Sequence, residues 1–227
     1  MNSERTYHDW VSYRRLMLDS LQEQFNHLYH GHVLDIGGRD RGRFQKPKGK
    51  VKKWIFADIN DEYKPDIILD VTNMKQITSN SIDVINAIEL FEHVINVEKA
   101  ISECYRVLKE NGILIISVPF LSPIHADPYD FQRWTDYKWK IELGECGFSI
   151  QKFIIMGRFY TSLAEMIIIK LKDYKAKSVI GKLLYYVFRP FVDRSIKLDN
   201  KPSVKDNPKL SKYHSGYFII AKKKKIV

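Results

Sequence analysis

Two glycines close an apolar stretch, Val33-Leu34-Asp35-Ile36-Gly37-Gly38, and about twenty residues later a carboxylate closes a second, Trp54-Ile55-Phe56-Ala57-Asp58. Glycine lets a ligand approach the backbone where a side chain would clash, and a carboxylate ending the neighbouring strand can accept hydrogen bonds from both hydroxyls of a ribose. The pair implies a nucleoside-binding crevice and an enzyme that uses an adenosine-containing cofactor. A second cluster, from Pro119 to Thr135, holds His125, Asp127, Tyr129, Asp130, Arg133 and Trp134 within one short segment. Imidazole ordinarily titrates near neutrality, so His125 is the leading candidate for a general base and His93 the second. Asp127 or Asp130 could orient that imidazole or hold substrate hydroxyls, and Tyr129 or Trp134 could stack on a sugar face. The same loop also has a purely structural reading, in which prolines fix it, Thr135 caps the next helix and an Asp130–Arg133 ion pair staples it. For His93 the corresponding reading is a helix-entry histidine held by a backbone group.

The glycine order decides between cofactors. A dinucleotide site uses G-x-G-x-x-G, with the pyrophosphate on a helix N-terminus. Here Gly37-Gly38-Arg39-Asp40-Arg41-Gly42 departs from that template. The stretch instead resembles the first motif of class I S-adenosylmethionine-dependent methyltransferases, acidic-x-G-x-G-x-G, in an imperfect copy. Pro65 to Val71 resembles the third strand of that family, and Asn80 to Glu89 the fourth. Phe91-Glu92-His93-Val94 resembles its frequent E-H-V segment, and Arg106 to Gly112 its R-V-L-K-x-x-G turn. The resemblance covers roughly residues 31–155. It implies a Rossmann-like, mostly parallel seven-stranded sheet with helices on both faces, and S-adenosylmethionine as cofactor. It further implies contacts from Asp35, Gly37, Gly38, Asp58, Ile59, Asp70, Val71 and Ile88, with Asp70 near the adenine and the exit of the fourth strand beside the methionine portion. A stretch similar to His125 to Thr135, H-x-x-P-x-D-F-x-R-aromatic-T, occurs in methyltransferases of glycan and natural-product pathways. Asp127, Tyr129, Arg133 and Trp134 are therefore expected to contact substrate.

Alternation of elements agrees with such a sheet. Strands are expected near 33–36, 53–58, 66–70, 82–87, 113–118, 148–156 and 216–221, the last antiparallel. The clearest helix runs from Val97 to Lys109, with Val97, Ala100, Ile101, Cys104, Val107 and Leu108 on one face and Asn111-Gly112 as its stop. Helical spacing of Trp10, Tyr13, Leu16, Met17, Leu21, Phe25 and Leu28 predicts an N-terminal helical cap over residues 1–30. The core then spans 31–157, an elaboration 158–215, and a closing strand with a basic tail 216–227. Within the elaboration, the Pro-punctuated stretch from Asp193 to Tyr213 reads as a long loop.

The basic excess is confined to that final third. Residues 151–227 carry 18 Lys and Arg against 5 Asp and Glu, whereas residues 1–150 carry 19 against 22. Apolar segments interleaved with lysines, from Leu163 to Lys177 and from Val179 to Val192, fit either a lid of helices or peripheral contact with an anionic membrane face. Nucleic acid is not an expected partner, because Asn86-Ala87-Ile88-Glu89 stands where base-nitrogen methyltransferases carry a [D/N]-P-P-[F/Y] motif. The closing Lys222 to Lys225 reads as a solvated end. Cys104 and Cys146 offer no metal-ligand spacing, no metal cluster is visible, and both read as buried thiols in a reducing, cytoplasmic setting. The expected activity is O-methylation of a sugar or of a nucleotide- or lipid-linked, phosphate-bearing glycan intermediate. A quinone or secondary-metabolite methyltransferase and a catalytically degenerate binding module are the alternatives.

Overall fold

The computed structural model describes residues 12–38, 43–125 and 129–225. Seven strands, β1 Gly31–Ile36, β2 Val51–Asp58, β3 Ile67–Ile68, β4 Ile82–Ile88, β5 Leu108–Pro119, β6 Phe148–Met156 and β7 Gly216–Lys223, form one sheet in the order β3-β2-β1-β4-β5-β7-β6. The β2, β1, β4 and β5 neighbours pair in parallel, as does β3 with β2. The end of β7 meets the start of β6 through Lys224 N–H to Gly147 C=O, and its start meets the end of β6 through Ser215 N–H to Gly157 C=O. The closing strand is therefore antiparallel to β6, as expected from the sequence. Val33, Leu34, Val84, Ile85, Leu114, Ile115 and Ile116 are fully buried, which is the near-continuous apolar character that a sheet covered on both faces requires.

The chain divides into two compact units. The sheet unit comprises Asp19–Ile154 and the chain from Tyr217 onward; the helical unit comprises the residues up to Leu18 together with Ile155–Gly216. The first turns of helix α1, Tyr13–Gln24, thus belong to the helical unit rather than to a separate cap. There Tyr13 joins a core with Ala164, Ile168, Leu171 and Tyr185, and its hydroxyl donates to Asp193 at 2.9 Å.

In the sheet unit, helix α2, Val97–Val107, buries the predicted face, Val97, Ala100, Ile101, Cys104 and Val107, and Asn96 caps it by accepting the Lys99 N–H. It ends earlier than the sequence suggests. Leu108 already enters β5, and the Asn111-Gly112 pair forms an irregularity inside that strand, with Asn111 at φ 61° and a register jump against β4 between Ile82 and Val84. The pair is a bulge signal that imitates a helix stop. Helix α3, Asp136–Glu145, is capped by Thr135 as predicted. Cys104 is buried, which pushes its thiol pKa up, and Cys146 is only half-buried.

The supposed solvated lysine end is also different. β7 extends through Lys223, whose ammonium is buried and donates to Asn80 Oδ1 at 2.9 Å and to the carbonyls of Tyr105 and Leu108 at 2.7 Å each. Burial pulls its pKa down. Replacing Lys223 with Met leaves two buried carbonyls without their donor. We expect a loss of about 2–3 kcal/mol in urea unfolding, whereas Lys222→Met should be nearly neutral.

The helical unit is built on a hairpin of α4, Phe159–Lys177, and α5, Val179–Asp199, joined through Ser178, whose hydroxyl accepts the Gly181 N–H at 2.9 Å. The predicted loop from Asp193 to Tyr213 is largely helical: α5 continues to Asp199, and a short helix α6 follows at Pro202–Lys205. Asp199 is the reason the helix continues so far. Its carboxylate accepts the N–H groups of Arg158, Tyr160 and Thr161 at 2.7 to 2.9 Å, capping the start of α4 from the end of α5.

Candidate functional site

Parallel pairing puts the carboxyl ends of β1, β2, β4 and β5 along one edge of the sheet, where open α/β sheets bind ligands. The glycine turn after β1 and the carboxylate ending β2 are neighbours there. Ile36 pairs with Ala57, and the Gly37 N–H donates to the Ala57 carbonyl at 2.8 Å, which sets Asp58 beside Gly37. Gly37 adopts φ +70°, a left-handed conformation natural to glycine. Gly38 is demanded by packing, since a Cβ there would lie 2.0 Å from the Asp35 carboxylate. That carboxylate is buried and held by Asn86 Nδ2 at 2.7 Å and Trp54 Nε1 at 2.9 Å, while the Tyr29 hydroxyl donates to Asn86 Oδ1 at 2.8 Å. Tyr29 is fully buried and its pKa is pushed well up by that burial. Gly38→Ala is expected to displace Asp35 and cost about 2 kcal/mol or more in thermal or urea unfolding; Asn86 and Trp54 would lose their acceptor.

Asp58 uses Oδ1 to accept the Asn60 N–H at 2.9 Å, fixing the turn, and the adjoining Ile59 is 67% exposed. Asp70 is exposed and spends Oδ1 on the Thr72 N–H and hydroxyl, both at 2.8 Å, while Val71 turns its side chain into the core. The third strand that precedes them is only Ile67–Ile68. Ile88 ends β4. The next residue, Glu89, takes φ 53° and bonds back to β5, its N–H to the Ser117 carbonyl and its carboxylate to the Ser117 hydroxyl at 2.7 Å. A non-glycine residue held left-handed at a strand exit stores strain, a feature concentrated at functional turns. Leu90 then lies over the β1 turn, its Cδ1 3.2 Å from where a Gly37 Cβ would stand.

The loop after β5 is strapped onto the segment after β4. Phe131 N–H donates to the Glu92 carbonyl at 2.8 Å, Gln132 donates to the Val94 carbonyl, and His93 Nδ1 sits 2.5 Å from the Tyr129 carbonyl. These straps bring the two candidate bases together: the His93 and His125 rings meet edge to face with centroids 5.2 Å apart. His125 Nδ1 lies 3.3 Å from Asp130 Oδ2 and 3.4 Å from the Pro123 carbonyl, and the His125 backbone N–H donates to Asp130 Oδ2 at 3.0 Å. The Asp130 side chain is 1% exposed and is clasped on both oxygens by the Arg133 guanidinium, which holds its pKa below the usual carboxylate range.

Arg133 spends its terminal nitrogens within the loop, while its buried Nε has no partner among the described residues. Its two terminal nitrogens are committed to Asp130 and the Gln132 carbonyl, so it positions Asp130, which in turn holds His125. The staple and the carboxylate beside His125 are thus one arrangement. Trp134 leans on Trp139 at 4.8 Å between centroids with Lys138 over its face, and Tyr129 is exposed. Asp127 lies outside the described residues. Because Asp130 has a lowered folded pKa, its stabilisation is complete above about pH 4 and disappears as pH falls through the folded value. Asp130→Asn should cost about 3 kcal/mol near neutrality, and the deficit should shrink toward zero on acidification in urea titrations.

Two contributors were not singled out from sequence. Asn86, inside β4, looks like a core strand position but anchors Asp35 and Tyr29. Glu92, 1% exposed in its side chain, lies with His93 and His125 so that one ligand atom of each falls within 4.8 Å of the others. The sequence showed no metal-ligand spacing; the fold brings the adjacent Glu92 and His93 up to His125, from a separate loop, as a group that could close on a divalent cation. Glu92 also lines a narrow recess of about 10 Å³, with Phe91, Gln132, Trp134 and Trp139 among its other walls.

Comparison with known proteins places this geometry. Residues 52–116 match the family described as methyltransferase domain. A SAM-dependent methyltransferase from Archaeoglobus fulgidus superposes with TM-score 0.54 at 17% identity, covering 92% of this chain and 94% of that one. The [4+2]-cyclase SpnF gives TM-score 0.51 at 15% identity, with 92% and 80% covered. Phosphoethanolamine N-methyltransferase 2 of Haemonchus contortus, solved in complex with S-adenosyl-L-methionine, gives 0.50 at 14% identity, with 93% and 52% covered. No curated protein matches the sequence. With strand order 3-2-1-4-5-7-6, an antiparallel seventh strand and a glycine turn beside the acidic end of β2, the sheet unit has the Rossmann-like fold of class I methyltransferases, and residues within it match the methyltransferase-domain family.

Proposed function

We propose that the chain is an S-adenosylmethionine-dependent methyltransferase that methylates an oxygen of a polar acceptor, a sugar or a nucleotide- or lipid-linked glycan intermediate. The observation that carries this reading is the placement of His125, backed by Asp130, on the same sheet edge as Gly37 and Asp58. The residues fit the cofactor. The Gly37-Gly38 turn leaves the backbone open to a ligand, Asp58 retains an oxygen beyond the one that holds Asn60, and Ile59 presents apolar surface next to it. Asp58 would hold the ribose hydroxyls, Asp70 and the backbone of Val71 the adenine, and the exit of β4 at Ile88 the amino-acid portion. When bound, the cofactor supplies an activated methyl carbon on a positively charged sulfur.

His125 Nε2 would take the acceptor hydroxyl proton, freeing that oxygen for the methyl group that the bound cofactor would supply before leaving as a neutral thioether. Asp130 holds the opposite ring nitrogen and stabilises the imidazolium so formed. The strapped loop contributes by fixing the base, since most catalysis of an in-line displacement is positioning in a site that excludes water. The exposed ring of Tyr129 on the strapped loop offers a face on which a sugar could stack. A cation held by Glu92, His93 and His125 could take over deprotonation of the acceptor. Activity lost to a chelator and restored by Mg2+ or Mn2+ would favour that variant.

Calorimetric titration with S-adenosylmethionine, S-adenosylhomocysteine and NAD tests the reading without knowing the acceptor. Micromolar binding of the two sulfur compounds, roughly −8 kcal/mol, with none of NAD is expected. Binding of none of them would replace the enzyme reading with that of a degenerate binding module.

A further inference from the structure

The α4–α5 hairpin carries an apolar surface that nothing in its own unit covers. Over the first three turns of α5, only Gly181 and Tyr185 are buried; Val179, Ile180, Leu183, Tyr186, Val187 and Phe188 are all exposed, Val179 by 81% and Ile180 by 71%. Positions 180, 183, 184 and 187 recur at three- and four-residue intervals and so form one stripe. Across the hairpin, Ile169 and Tyr174 extend the same character at the end of α4. Exposed apolar surface of this extent marks an interaction site on a folded protein.

Charge identifies the occupant. Residues 169–189 contain Lys170, Lys172, Lys175, Lys177, Lys182 and Arg189 against a single acid, Asp173. Lys170 lies 4.9 Å over the Tyr174 ring, and Lys175 lies 4.0 Å over Tyr185 and 5.2 Å over Tyr186, so cations are tethered at the border of the apolar surface. Apolar side chains rimmed by aromatic rings and lysines match the layered chemistry of a membrane interface, acyl chains below and anionic headgroups above. A second copy of the chain would bring a like-charged rim against this one. No helix of the described residues is long and apolar enough to cross a bilayer.

We infer that the hairpin tip docks peripherally on an anionic membrane surface, with Ile180, Leu183 and Val187 entering the acyl boundary and the lysines on headgroup phosphates. Docking needs neither cofactor nor acceptor, so it stands or falls separately from the transferase reading.

The full chain should co-sediment with vesicles of phosphatidylcholine containing about 30% phosphatidylglycerol and be released progressively by salt, as screened headgroup contacts require. Vesicles of phosphatidylcholine alone should retain far less. Ile180→Glu with Leu183→Glu should abolish sedimentation while circular dichroism and Tm stay at wild-type values, since both sites are solvent-exposed. Lys177→Glu with Lys182→Glu should weaken binding at least about twentyfold, near fivefold for each cation lost. Leu183→Trp should shift its fluorescence to the blue and be quenched by brominated acyl chains. The inference is overturned if the chain ignores anionic vesicles at low salt, if the double Glu variant still sediments, or if that variant instead dissolves a homodimer.

Discussion

Asp58→Ala is expected to weaken S-adenosylmethionine binding by at least about a hundredfold, roughly 3 kcal/mol, because two hydrogen bonds from ribose hydroxyls to a carboxylate are lost together. The carboxylate also fixes the turn through the Asn60 N–H, so the Ala variant changes two things. Asp58→Asn separates them. Its amide oxygen can still accept from Asn60, while its nitrogen presents a donor where the ribose needs an acceptor. Calorimetry should show both variants impaired, with the fold of the Asn variant unchanged; unaltered affinity in both would remove the ribose assignment.

His125→Ala should leave cofactor affinity intact and lower kcat by roughly 10²–10⁴, the range that a positioned general base supplies. The variant removes an imidazole that is 45% exposed and meets the fold at Asp130, the Pro123 carbonyl and the His93 ring, so stability should change little. Asp130→Asn should reduce kcat less than His125→Ala, since the base remains but loses its orienting carboxylate. Cofactor affinity and turnover falling together in His125→Ala would point to a structural histidine. The same experiment on His93→Ala tells which ring takes the proton, because His93 Nδ1 is engaged by the Tyr129 carbonyl and its neighbour is the buried Glu92.

What could be read in the sequence followed the range over which each signal acts. Helix α2 was legible because its buried face repeats every three to four residues. The Asp130–Arg133 pair and the Thr135 cap were legible for the same reason, being three residues from their partners. The strand exits carrying Gly37 and Asp58 were legible because apolar runs ended in residues with evident backbone or acceptor roles. The continuation of α5 to Asp199 was not, since the polar stretch punctuated by Pro202 and Pro208 reads as a loop and the helix end is fixed by N–H groups about forty residues earlier in the chain, at Arg158, Tyr160 and Thr161. Glu92 was hidden likewise, because its partner His125 lies in a different loop. Lys223 misled for a different reason: a lysine run looks solvated unless one knows that three acceptors wait for one of its members.

The position of β7 has a consequence for how the molecule is made. Its strand sits between β5 and β6 yet is the last of the seven in sequence, separated from β6 by the whole of Gly157 to Ser215. A ribosome adding roughly 5–20 residues per second spends several seconds on that stretch. Until it has passed, β5 presents a bare edge of unpaired backbone groups, and β6 has no neighbour to join. The nascent chain is thus held open at its middle for a time set by translation, and its sheet locks shut only when the final strand arrives and Lys223 finds its carbonyls.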